Sequence, residues 1–151
     1  MAYAIRAARL SQSYDAVVSS NDALAAVARF QASCEQDPLV VAAFLGGSYA
    51  AGTATDASDI DVYLVTVEDD YQSFVARRHA FMLTWSEPVR LVDVLNFEGL
   101  GFDMLDFELK DGVRGQLAMG HTGNFMALHG GPHQVLVDKT GLLAGVTFPR
   151  L

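Results

Sequence analysis

Phe44-Leu45-Gly46-Gly47-Ser48-Tyr49-Ala50-Ala51-Gly52, continued after a Thr/Ala/Ser-rich spacer by Ser58-Asp59-Ile60-Asp61-Val62-Tyr63-Leu64, is the stretch on which the reading of this chain turns. Residues 39–45 form an unbroken apolar run with two valines and a phenylalanine, bounded by Pro38 and the Gly46-Gly47 pair, which predicts a buried strand. Residues 60–65 read as a second strand with acids at its start. Side chains alternate between the faces of a strand, so Asp59 and Asp61 share one face while Ile60, Val62 and Leu64 enter the core.

Two carboxylates placed this way repel and raise each other's pKa unless a cation sits between them. A hard divalent ion with a preference for oxygen, Mg²⁺ first, removes that conflict and can bridge to the phosphates of a nucleotide. Gly46 and Gly47, lacking Cβ atoms, let the backbone approach phosphate oxygens, and Ser48 adds a hydroxyl beside N–H groups at the opening of a short helix. A phosphate cradle facing a metal-binding pair is the minimum equipment for phosphoryl or nucleotidyl transfer, where positioning and charge neutralisation do most of the catalysis.

Gly-Gly-Ser, a spacer, then Ser-Asp-hydrophobic-Asp resembles the signature of the DNA polymerase β-like nucleotidyltransferase superfamily. That group includes antibiotic nucleotidyltransferases acting on aminoglycosides and lincosamides, and the minimal nucleotidyltransferases of toxin–antitoxin pairs. The resemblance covers residues 46–61 and, with the flanking strands, 39–65. It implies that Gly46, Gly47, Ser48 and Ser58 hold the nucleotide, that Asp59 and Asp61 hold one or two Mg²⁺ ions, and that ATP is the donor. The implied reaction moves a nucleoside monophosphate to a hydroxyl of a small molecule or protein.

Members of the superfamily usually add a third carboxylate from a later strand. By the same resemblance its position here is Gln116, an amide that cannot act as a base and is a poor ligand for a hard cation. That residue raises a second reading, a catalytically lapsed binding protein, and a third, an antitoxin-like partner. Asp106 and Glu108, on the preceding strand, are the candidate replacements. With a two-residue Asp111-Gly112 turn, Phe107 stands opposite Gln116, so Gln116 and the Asp106/Glu108 pair are expected on opposite faces.

Elsewhere the chain reads as one domain of 151 residues, 51% hydrophobic, with enough apolar material for a core. Residues 2–10 and 21–34 are rich in Ala, Leu, Val and Arg; Leu24, Val27, Ala28 and Phe30 predict a helix over 22–34, capped by Ser20 or Asn21. A helix is expected over 71–84, with Phe81, Met82 and Trp85 in the core and Arg77-Arg78 on a solvated face, then a strand over 89–97. A hairpin follows over 103–119, a loop at 129–132 and a short strand at 134–137. The whole predicts an α/β (α+β) nucleotidyltransferase fold with a mixed sheet, helices mainly on one face and a cleft at the Gly-Gly-Ser loop. The helical substrate domain of longer relatives is not expected within residues 1–151; a minimal form, a truncated product or a homodimer that completes the site all accommodate this.

A net charge of −8 without a Lys/Arg cluster argues against binding a nucleic-acid duplex. No apolar run approaches a membrane span, no secretory leader is recognisable, and the single Cys34 excludes an internal disulfide, so a cytoplasmic, soluble protein is expected. His121, His129 and His133 do not read as a zinc site, because Gly130-Gly131-Pro132 interrupts any helical spacing; His129 is expected as a hydrogen-bonded turn residue, with contact to a substrate from its loop as the alternative.

Overall fold

The computed structural model describes residues 20–150, and the segment 2–10 lies outside them. Among the described residues, four α-helices, α1 (Ser20–Gln36), α2 (Gly47–Ala51), α3 (Tyr71–Ala76) and α4 (Arg78–Trp85), accompany six strands. These are β1 (Val40–Leu45), β2 (Ile60–Thr66), β3 (Pro88–Val94), β4 (Asp103–Leu109), β5 (Arg114–His121) and β6 (Gln134–Asp138). They form one sheet in the order β3-β4-β5-β2-β1-β6, in which only β2 and β5 run parallel. The expected mixed α+β architecture is what the chain adopts.

The helices cover one face. Ala23, Ala26, Val27, Phe30 and Cys34 follow the helical period along α1 and are buried against Ile60, Val62, Leu64, Leu105, Phe107 and Leu117 of the sheet. Leu24, counted in the stripe from sequence, is half exposed instead. Phe81, Met82 and Trp85 are buried as expected, and the Trp85 indole N–H donates to the Ala26 carbonyl at 2.7 Å. The single helix expected over 71–84 is broken at Arg77, where φ/ψ of −113°/20° leave the helical region. The Arg77 guanidinium makes two bonds to the Asp37 carboxylate, at 2.7 and 2.6 Å, and holds that carboxyl below the usual range against the opposing effect of burial. Arg78 pairs with Asp93 at 2.8 Å, so neither arginine sits on an unengaged face.

A smaller core lies on the opposite face. Ala42, Phe44, Val65 and Ala118 pack there under Phe102, Leu128, Leu143 and Phe148, which come from loops and the end of the described chain. The face is therefore covered by irregular segments, and the part they leave open is where Asp61 emerges.

The hairpin departs from expectation by one residue. Leu109 N–H donates to the Val113 carbonyl at 2.8 Å, so Lys110, Asp111 and Gly112 form a three-residue loop with Gly112 at φ 92°. Gln116 consequently faces Asp106, Gly115 faces Phe107 and Arg114 faces Glu108. The expected opposition of Gln116 to Phe107 is wrong, and because side chains alternate, Asp106 and Glu108 lie on the same face as Gln116. The strand expected over 89–97 stops at Val94, and no helix among the described residues is long and apolar enough to cross a membrane.

Candidate active site

The site begins where β1 ends. Gly46 N–H donates to the Asp61 carbonyl at 2.9 Å, which fastens the turn to β2. Gly47 then opens α2 with φ 62°, a left-handed value that costs a side chain dearly, and a Cβ there would collide with the Asp61 carboxylate. Gly46 is constrained from the other side, since its Cβ would lie 2.7 Å from the His129 ring and 2.8 Å from the Tyr63 ring. Both glycines are needed for closeness: the loop lies flush on the acid and on the aromatic wall.

Asp61 is mostly buried, and burial, reinforced by the charge of Asp59, pushes its carboxyl up to about 6. The repulsion expected between the two acids is thus present. Asp59 lies 3.9 Å from the Arg114 guanidinium, with both side chains largely covered. Arg114 escaped the sequence reading although strand alternation places it on the face of Gln116, two residues on. In register, Asp61 stands beside Gln116, which stands beside Asp106, so these three form a row across β2, β5 and β4. Asp106 is buried and bonded by Arg90 at 2.9 Å, one strand further from Asp61 than Gln116 is. Glu108 is half-buried between Arg114 and Arg90 in the neighbouring row. Ser58 is engaged in the spacer, its hydroxyl accepting from Thr55 N–H at 2.9 Å.

A cleft of about 570 Å³ opens over the loop, lined by Gly47, Ser48, Thr53, Asp61, Tyr63 and His129 among others. Tyr63 stacks on Phe44 with ring centroids 4.6 Å apart, and burial together with Asp61 raises its hydroxyl above the ordinary phenol range. His129, in the expected loop, is pinned at both nitrogens. The Pro132 carbonyl can only accept, so Nε2 donates to it at 2.7 Å, and in the neutral ring Nδ1 accepts from the Tyr63 hydroxyl at 3.1 Å.

A hard divalent cation fits this arrangement. The donors are the carboxylate oxygens of Asp59 and Asp61, near enough for the charge of one to raise the pKa of the other, and a cation would relieve that repulsion. No cluster of three or more His, Cys, Asp or Glu among the described residues forms a complete cage, so phosphate oxygens and water would have to supply the remaining positions.

The nucleotidyltransferase domain family model matches residues 28–114. Among solved structures, the chain is similar to an aminoglycoside 6-adenyltransferase from Bacillus subtilis, at 12% identity and a TM-score of 0.44. The match covers 65% of this chain and 33% of that one, so the chain spans about a third of that enzyme's length. No curated protein matches the chain in sequence.

Proposed function

We infer the function from one premise: the chain belongs to the nucleotidyltransferase domain family. Its activity is then the transfer of a nucleoside monophosphate, with Mg²⁺ held by Asp59 and Asp61 and the triphosphate lying on Gly46, Gly47 and Ser48. ATP is the donor by resemblance. An acceptor hydroxyl forms the new bond to the α-phosphorus, the bond to the bridging oxygen breaks, pyrophosphate leaves and the hydroxyl proton is released to water. When bound, the ion supplies neutralisation of phosphate charge. The chain's own residues do the positioning: Gly47 admits the phosphates to the Asp61 edge, Ser48 offers its hydroxyl, and the pinned His129–Tyr63 pair fixes the cleft wall.

The observation that carries this reading is the contact of the Gly47 backbone with the Asp61 carboxylate beneath an open cleft. Calorimetry with ATP and Mg²⁺ tests it. Wild type is expected to bind both together, and the Asp59→Ala/Asp61→Ala double variant to lose at least about tenfold in affinity, as removal of about 1.4 kcal/mol or more requires. Equal binding by the two proteins would end the assignment.

A second reading is supported by Gln116, which stands beside Asp61 where the superfamily usually has an acid. It is a lapsed enzyme that keeps the nucleotide without turning it over. Gln116→Glu separates the two: turnover gained from none supports the lapsed form, and turnover already present in wild type refutes it.

A further inference from the structure

A second cavity, of about 350 Å³, lies on the other side of Asp61 from the Gly-Gly-Ser cleft. The two spaces share Asp61, Tyr63 and Leu128, and only the second reaches Gln116. Its walls are apolar: Phe97, Leu100, Phe102, Met104, Ala118 and Leu128. The polar groups are confined to two places, Asp61 and Gln116 at the inner end and Glu98 on the exposed rim. The Tyr63 hydroxyl is committed to His129, so that residue adds little polarity here.

The outer wall is built rather than collapsed. Asn96 and Glu98, with φ of 50° and 48°, are the non-glycine residues with positive φ among those described, and both belong to the loop that carries Phe97 and Leu100 to the cavity. Asp103 accepts from Asn96 N–H at 2.7 Å and from the Tyr71 hydroxyl at 2.6 Å, while Phe97 stacks on Phe102 at 5.5 Å. Backbone strain held by such bracing is typical of surfaces shaped for a ligand.

We propose that this cavity takes the acceptor, and that the acceptor is a small, mainly apolar molecule whose hydroxyl is presented to the Asp61–Gln116 end. The proposal rests on the nucleotidyl-transfer reading and names its substrate class. The volume lies at the lower end of the range for small-molecule pockets, and the lining matches the usual pattern of apolar walls with a few orienting polar groups. A polycationic sugar would leave most of its ammonium groups against hydrocarbon, with Glu98 at the rim and Asp61 at the inner end as the carboxylates of the lining to answer them. The hydroxyl oxygen would bond the α-phosphorus delivered from the adjoining cleft, as pyrophosphate departs and the proton passes to water.

Calorimetry with 4-phenyl-1-butanol as probe, on wild type, Leu100→Asp and Ala118→Leu, tests the proposal. Leu100 is half exposed, so its replacement spares the fold, whereas Ala118 is buried and a larger side chain there fills the space. Saturable binding of one probe per wild-type chain is expected, weakened about tenfold or more in each variant. ATP–Mg²⁺ affinity, measured on the same samples, is expected to stay within about twofold. Absence of probe binding, equal binding by all three proteins, or tighter binding of a polyamino sugar overturns the proposal while ATP binding keeps the transfer reading intact. Loss of ATP binding in wild type instead brings down the transfer reading, and with it the assignment of the cavity to an acceptor.

Discussion

Asp61 pays twice for its position, by desolvation and by the neighbouring charge of Asp59, and both costs fall on the ionised form. Its carboxyl is raised from the ordinary 3.8 to about 6, so the folded chain holds the proton more tightly than the unfolded chain does. Stability from this group is therefore fully present below about pH 4 and is lost as pH rises to about 6, by on the order of 2–3 kcal/mol. Asp61→Asn is expected to raise the Tm of the metal-free protein at pH 8 by several degrees, and to abolish divalent-dependent nucleotide binding. Thermal melts at pH 4.5 and pH 8 check this: wild type should lose stability between them, and the variant should lose markedly less. At this scale much was legible in the sequence, because strand alternation and the missing Cβ atoms of glycine are local facts. Arg114 was missed although the same alternation places it beside Gln116. An arginine two residues before an amide carries no signal until Asp59 is known to lie 3.9 Å away.

At the two ends of α2, two glycines look alike in sequence and differ in surroundings. Gly47 and Gly52 both have positive φ, but a Cβ at Gly47 meets Asp61 and one at Gly52 meets nothing within 4 Å. Gly52→Ala is expected to cost about 1 kcal/mol, for backbone conformation alone, with nucleotide affinity unchanged. Gly47→Ala is expected to cost about 2–3 kcal/mol and to remove nucleotide binding, because the turn or the acid must move. Urea unfolding and calorimetry on the two variants measure both effects. Element boundaries were legible within a few residues wherever periodicity and turn residues agreed. The β4–β5 register was not, because Asp-Gly serves equally in a two-residue turn and at the end of a three-residue loop, and that one residue decides which face Asp106 shares. Nor was the break at Arg77, whose guanidinium is bonded to an Asp37 carboxylate 40 residues away.

For the whole molecule, the expected layering of helices on one face holds, whereas the strand order and the parallel β2–β5 pair depend on contacts no local pattern encodes. The second, smaller core was also hidden, since Phe102, Leu128, Leu143 and Phe148 come from segments without period. Ligand linkage extends over the whole fold. ATP with Mg²⁺ at about a hundred times its Kd is expected to add about 2.7 kcal/mol of stability to wild type and nothing to Asp59→Ala/Asp61→Ala. A thermal-shift series in ATP concentration reads this directly, and an equal rise in both proteins would show that the nucleotide binds elsewhere.

The parallel pairing has a kinetic side. Asp61 and Gln116 become neighbours only when strands roughly fifty residues apart along the chain align, with α3, α4, β3 and β4 between them. Local hairpins close early and cheaply, while a distant alignment of this kind waits on a large loss of chain entropy. Contact order thus places the cleft among the late-forming parts of the fold: before β2 and β5 align, the chain has a glycine turn and two acids without Gln116 beside them.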